Sequence, residues 1–342
     1  MLAVRVGQHS DRGRKEVNQD FFGATIPQGA CLAAKGVAVA LADGIGSSSV
    51  SQAASEFAVM GLLEDYYCTS DAWSVRKSVD RVLAATNSWL HSRTQAGPFR
   101  NDMERGYVCT LSAVVIKGST AHVFHIGDSR VCRLQRGVLE PLTQDHRVWV
   151  SGGQSHLARA MGFKAQVEID YQPVQVEEGD VFVLTTDGVH EHLAARETIA
   201  AITGHADDLD AAAQAIVEKA LTNGSEDNLT VQIVRVDSLP ERESSELHQR
   251  LANLPAPAIL SPRDVIDGWR IMREIHASPR SHIYLAVDVE TGQPAILKTP
   301  SIDKQDDPAY LERFMMEEWV ARRVKSAHVL KPVEHTRERT CR

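Results

Sequence analysis

The chain has 342 residues, 43% of them apolar and 24% charged, an ordinary soluble globular composition long enough for one large domain plus a smaller one. Its net charge of −8 argues against a general nucleic-acid binder, which carries a basic face, and suits a cation site. The cysteines at 31, 68, 109, 132 and 341 are widely spaced and form no CxxC pair, so they read as reduced thiols.

The N-terminal "MLAVRVGQHSDRGRK" has no apolar core of signal-peptide length. No apolar run approaches the roughly 18 residues of a membrane span, so a soluble, cytoplasmic chain is expected. Residues 1 to 237 alternate β-rich runs with helical blocks. "SQAASEFAVMGLLEDYY" and "SVRKSVDRVLAATNSWLHSR" repeat apolar residues at helical spacing. Between 107 and 142 the pattern changes to four short strands turned at Gly118–Ser119, Gly127–Asp128 and Arg136–Gly137. Turns that brief predict antiparallel neighbours, because parallel strands need longer crossovers. "VFVLTTD" and "LTVQIVRV" add two strands around a helix near Asp208 to Leu221. Helices placed around an antiparallel meander predict an α+β domain.

Residues 238–261 are rich in Pro, Ser and charge and read as a linker with room for one short helical turn. A smaller unit, 262–342, follows. Its "IYLAVDVETGQPAILKT" is a hairpin turned at Thr291–Gly292. A helix then begins with Asp307 as N-cap and Pro308 at the first position.

Four apolar runs deliver an aspartate at or near a turn: Asp43 after "VALA", Asp128 in "HIGDSR", Asp187 after "VFVLTT" and Asp227 before "NLTVQIV". A single Asp-Gly at a strand end is ordinary turn chemistry. Several carboxylates that converge from different strands would repel, and a divalent cation relieves that repulsion. Oxygen-only ligands with open positions favour Mg²⁺ or Mn²⁺ over zinc. Two such ions bridged by one carboxylate lower the pKa of a water held between them, which equips a site to attack a phosphate ester.

The ordered pieces "SDRGRKEVNQDFFGA", "VALADGIG", "VCTLSAVVI", "HIGDSR", "LTQDH", "LARAMG", "VFVLTTDGV" and "SEDNLTVQIV" resemble the type 2C, metal-dependent serine/threonine protein phosphatases across residues 5 to 236. The resemblance implies a four-layer α-β-β-α sandwich with two antiparallel sheets. It implies a Mn²⁺ or Mg²⁺ pair, with Asp43 bridging both ions, Asp20 and the Gly44 carbonyl on one, and Asp187 and Asp227 on the other. Asp128 matches the position that helps hold a third, weaker ion. Asn228 and Thr230 are expected to brace Asp227, and Asp145 with His146 to play a structural part. The substrates implied are phosphoserine and phosphothreonine in proteins, with a cognate Ser/Thr kinase as a partner.

This sequence departs from the family pattern in places. Lys15, with Arg14 beside it, stands where an arginine grips the substrate phosphate, so the charge is kept and the bidentate fork lost. Ile45 replaces a histidine found in some relatives, and Gln19 replaces an acidic residue. His190 and His192 read as surface histidines.

The second unit resembles the start of a eukaryotic-type protein kinase domain. Lys298 in "PAILK" stands at the nucleotide-binding lysine, and Glu317 at the helix glutamate that pairs with it. "HASPRSHIY" holds no glycine where the Gly-rich loop belongs, and no HRD or DFG segment appears, so no kinase activity is expected of this segment. Two alternatives stand beside a protein phosphatase: a catalytically silent scaffold that kept the fold, and a small-molecule phosphatase. Retention of Asp20, Asp43, Asp187 and Asp227 favours the enzyme.

Overall fold

The structure is a computed structural model. It describes residues 1–71, 73–150, 154–240, 257 and 259–301, and beyond these residues 310, 314, 317, 321, 324, 326 and 328–333. The chain divides into two compact units, Met1–Glu241 and Arg242–Arg342.

The first unit opens with β1 (Ala3–Asp11), β2 (Phe21–Thr25), α1 (Gly29–Lys35), β3 (Val37–Ala42), α2 (Ser51–Cys68) and α3 (Val75–Ala96). It continues with β4 (Leu111–Lys117), β5 (Thr120–Ile126), β6 (Arg130–Gln135), β7 (Val138–Pro141), β8 (Arg147–Val150), β9 (Gln154–Leu157) and β10 (Asp170–Gln175). It closes with β11 (Val181–Thr185), α4 (Asp187–His190), α5 (Ala195–Gly204), α6 (Leu209–Thr222) and β12 (Leu229–Ser238). Two five-stranded sheets form, in the orders β1-β12-β11-β6-β7 and β10-β5-β4-β3-β2, and β8 pairs with β9 apart from both. Every pairing is antiparallel.

The layering follows from side-chain alternation. All six residues of β3 are buried. Val37, Val39 and Leu41 enter a core shared with Phe182, Leu184, Val234 and Val236 of the opposite sheet. Ala38, Ala40 and Ala42 enter a different core, filled by Val59 and Leu62 of α2 and Leu83 and Leu90 of α3. Successive residues of a strand point to opposite faces, so a strand buried on both is an inner layer. β12 repeats the arrangement. Its Val231 and Ile233 meet Ile216 and Val217 of α6, while Val234 and Val236 face the sheet that holds β3. Three stacked cores make four layers, helices outside and sheets within. Ser74 and Asp208 cap α3 and α6 by accepting from Lys77 N and Ala211 N.

The four strands expected between 107 and 142 are present, but they do not form one meander. β4 and β5 lie in one sheet, β6 and β7 in the other. The chain crosses between sheets at Gly127–Asp128, with Gly127 at φ 113°. A two-residue turn reads in sequence as a hairpin, whereas here it carries an aspartate into the seam between the layers.

In the second unit β13 (Val265–Ile266), β14 (Trp269–Ala277), β15 (Ser281–Asp288) and β16 (Pro294–Pro300) form an antiparallel sheet in chain order. Trp269, Ile271, Tyr284 and Ala286 form its core, with Leu260 packed against it. The β15–β16 turn is closed by Asp288 Oδ1, which accepts from Glu290 N and Thr291 N, and by Gly292 at φ 72°. Of the expected linker, Ser238 belongs to β12 and residues 241–256 lie outside the described residues. The Asp307–Pro308 helix start lies outside them too. Among the described residues no helix is long and apolar enough to cross a membrane.

Candidate metal centre

The strand registers bring the predicted carboxylates to one end of the sandwich. β3 ends at Ala42, paired with Phe21 at the start of β2, so Asp43 and Asp20 flank the same edge. β11 ends at Thr185, paired with Arg130 at the start of β6, so Asp187 and Asp128 flank the matching edge of the other sheet. Asp227 precedes β12, whose first residue pairs with Asp11. One oxygen from each of Asp43, Asp128 and Asp187 lies within 4.8 Å of the others.

Hydroxyl groups fix these mounts. Asp43 N donates to Thr110 Oγ1 at 2.9 Å, and Thr110 N donates back to Asp43 O at 2.8 Å. Thr110 Oγ1 also lies 2.8 Å from Ser129 Oγ, which links the Asp43 mount to the turn holding Asp128. Asp20 Oδ2 accepts from Thr186 Oγ1 at 3.0 Å and from Thr230 Oγ1 at 2.7 Å. Its Oδ1 is buried and has no hydrogen-bond partner. An unpartnered carboxylate oxygen in the interior is costly unless a cation completes it.

The charges report the same need. Burial, followed by the charges of Asp20, Asp187, Asp128 and Asp227, holds the Asp43 carboxyl well above the usual carboxylate range. Burial raises Asp20 to about 7 against the pull of its two threonine hydrogen bonds. Asp187 is raised to about 6, by burial first and then by Asp128 and Asp227. Asp128 is raised by burial against the opposing effect of Arg147. A set of acids that resist ionising together fits a divalent ion, which would hold them all as carboxylates.

The loop after β1 forms the rim. Gly13 N donates to Asp11 Oδ1, and Gly13 itself takes φ 58°. A Cβ there would lie 2.1 Å from Asp227 O, so only glycine lets the loop close on that residue. Lys15 Nζ then reaches Asp227 Oδ1 at 3.2 Å, while Arg14 pairs with Glu226 at 3.2 Å, exposed on both sides. Gly44 is buried at the Asp43 turn, where a Cβ would meet Gln19 O and Ser51 at 2.9 Å. The Gln19 side chain points away from the acids, donating to Ser48 O and Ser51 Oγ at the start of α2.

Two expectations need correction, those for Thr230 and His190, while those for Asn228, Asp145 and His146 agree with the contacts found. Thr230 braces Asp20, not Asp227. Asn228 does brace Asp227, its N donating to Asp227 Oδ1 at 2.8 Å, and it also clasps the rim loop: its Nδ2 donates to Arg12 O and Val17 O, and its Oδ1 accepts from Gln19 N. His190 is not a surface histidine. Its Nδ1 lies 3.2 Å from Thr185 Oγ1 and its buried Nε2 has no partner, because α4 folds it beneath the turn that carries Asp187. Asp145 accepts both arms of Arg130, and His146 accepts from Gly127 N, so both hold the Gly127–Asp128 crossing from outside the acidic cluster.

Thr110, Ser129, Thr186 and Arg147 were not singled out in the sequence. A signal existed for Thr230 and Gln232. They interrupt the apolar inner face of β12 at the end nearest the acids, where a purely structural strand would carry valine. In the second unit, Lys298 Nζ forms an ion pair with Glu317.

The sequence profile of the family described as protein phosphatase 2C matches residues 8–224. PstP of Mycobacterium tuberculosis, named a serine/threonine protein phosphatase, is 27% identical over 251 residues, 69% of this chain and 45% of that protein. The chain thus spans less than half of that relative. The serine/threonine phosphatase stp of Listeria monocytogenes is 30% identical over 223 residues, 58% of this chain and 84% of the relative. The PstP catalytic domain, solved in complex with two manganese ions, superposes with a TM-score of 0.57 at 25% identity over 70% of this chain and all of that domain. Ordered motifs, paired antiparallel sheets and the profile match agree that this chain belongs to the protein phosphatase 2C family.

Proposed function

We propose that the first unit is a Mn²⁺- or Mg²⁺-dependent phosphatase acting on phosphoserine and phosphothreonine in proteins. The observation that carries this reading is the convergence of the Asp43, Asp128 and Asp187 oxygens within 4.8 Å at the end of a rigid sandwich. Asp20, Asp43, Asp187, Asp227 and the Gly44 carbonyl would hold two ions. Bound there, such ions supply charge compensation and a nucleophilic water for an ester phosphate.

The chain's own groups do the rest. Thr186 and Thr230 hold one oxygen of Asp20 and leave the other open. Thr110 fixes the Asp43 backbone from both sides, so the Asp43 carboxylate would need little reorganisation to hold an ion. Lys15 sits at the rim beside Asp227 and is positioned to pair with an incoming phosphate. The names of the relatives support protein substrates, and a kinase that phosphorylates the same proteins would be the natural partner.

The test is phosphate release from a phosphothreonine peptide by metal-stripped protein, with and without added Mn²⁺. Activity is expected only with Mn²⁺, and Asp43→Asn should reduce it by about a hundredfold or more. Wild-type protein that binds Mn²⁺ and releases no phosphate from the peptide would favour the silent-scaffold reading. Release from a free sugar phosphate in preference to the peptide would favour the small-molecule reading.

We further read the second unit as related to the N-terminal lobe of a protein kinase. The Lys298–Glu317 pair beside an antiparallel sheet supports this. The glycine-free β14–β15 turn, in which Ser278 Oγ accepts from Arg280 N and Ser281 N, argues against nucleotide phosphates binding there in the usual way.

A further inference from the structure

Arg147, at the start of β8, reaches into the acidic cluster with its whole guanidinium. Nε donates to Asp128 Oδ2 at 2.6 Å, Nη2 to Asp187 Oδ2 at 2.8 Å and Nη1 to Glu191 Oε1 at 2.5 Å. Asp128 and Asp187 are two of the three residues whose oxygens converge, and both give an oxygen to this one cation. Its side chain is 21% exposed and that of Asp128 7%, so screening by solvent is weak. We propose that Arg147 is a built-in cation at the Asp128–Asp187 position, and that the centre therefore takes two divalent ions rather than three. The inference rests on the metal-dependent reading of the site and refines its stoichiometry.

The chemistry favours the tethered group. Guanidinium is permanently charged, and its planar fork satisfies several carboxylate oxygens at once without the near-ideal octahedron that Mg²⁺ demands. Being part of the chain, it competes with free ions at a high effective concentration. A third ion would have to break all three ion pairs to enter. Asp43 is outside this arrangement: none of the three guanidinium bonds goes to it, so the proposed bridging position stays open to ions.

The experiment counts ions and does not rely on catalysis. Full-length protein is stripped with chelator, then titrated with Mn²⁺ alone, and bound metal is read from the loss of the free-ion electron paramagnetic resonance signal. Wild type should take two ions per chain. Arg147→Gln should gain a third, weaker ion, which Asp128→Asn in the same background removes. Arg147→Lys, which keeps the charge and gives up the fork, serves if the glutamine variant does not fold. It should likewise take a third ion that wild type does not bind. Three ions on wild type, or two on both Arg147 variants, would overturn the inference while leaving the metal centre intact. No Mn²⁺ bound by wild type would remove the metal-dependent reading itself, and the inference with it.

Discussion

Lys15 shows how one side chain can be read only partly from sequence. Its charge and its place five residues before Asp20, at the position the family resemblance assigns to a phosphate-gripping arginine, propose it as a phosphate partner, while its ion pair is with Asp227 at 3.2 Å, across the rim. That pair is about half exposed, so it is weak and easily exchanged for a phosphate oxygen. A charge-assisted hydrogen bond to phosphate contributes roughly 1.5–3 kcal/mol, and 1.4 kcal/mol is tenfold in affinity. Lys15→Ala should therefore raise KM for a phosphothreonine peptide about tenfold or more at fixed Mn²⁺. Lys15→Arg restores the bidentate fork and should give a KM no higher than wild type. Steady-state kinetics on the three proteins check this, and an unchanged KM in Lys15→Ala would remove Lys15 from the phosphate site.

Elements carry the site, and their legibility was uneven for physical reasons. Strands and long helices were readable because continuous apolar runs, as in β3 and β11, and helical spacing, as in α2 and α3, are local signals. The four aspartates that end or precede strands were readable for the same reason. Sheet membership was not, because Gly127–Asp128 makes the same local turn whether the next strand returns or crosses over. Nor were the partners of Asp20, since Thr186 and Thr230 lie 166 and 210 residues away in sequence. The role of Gly13 was equally hidden: it depends on Asp227 O, which chain folding alone brings within 2.1 Å of a Cβ. Gly13→Ala must therefore strain a left-handed residue, at about 1–2 kcal/mol, and also push the rim loop off Asp227. Urea denaturation should show at least that loss of stability. The KM for the peptide should rise as in Lys15→Ala, because Lys15 moves with the loop. A loss of stability with no change in KM would separate the loop's packing from its function.

At the scale of the whole molecule, the sandwich buries histidines as well as carboxylates, and this links its stability to pH independently of metal. Burial, then Lys117, lowers His122 to about 4; burial, then His146, lowers His125 to about 4; burial, then Arg130, lowers His190 to about 3. His122 accepts or donates only at Nδ1, 2.9 Å from Tyr171 Oη, and its Nε2 is buried without a partner. In the unfolded chain each ring takes a proton near pH 6.5, while the fold refuses it until well below pH 5. Protons therefore favour the unfolded state across that window. The stability these neutral rings contribute is complete above pH 6.5 and is lost as pH falls through about 4. The raised acids around Asp43 act with the opposite sign in metal-free protein, so the histidine contribution has to be isolated by difference. Comparing wild type with His122→Gln, both chelator-treated, does this because the acids are common to both. The stability gap between them should shift against wild type by about 2 kcal/mol from pH 7 to pH 5, as measured by urea unfolding at each pH. A gap that stays constant over those pH values would mean that His122 takes its proton at the same pH in the fold as in the unfolded chain, and that the helix-facing core is wetter than its burial indicates.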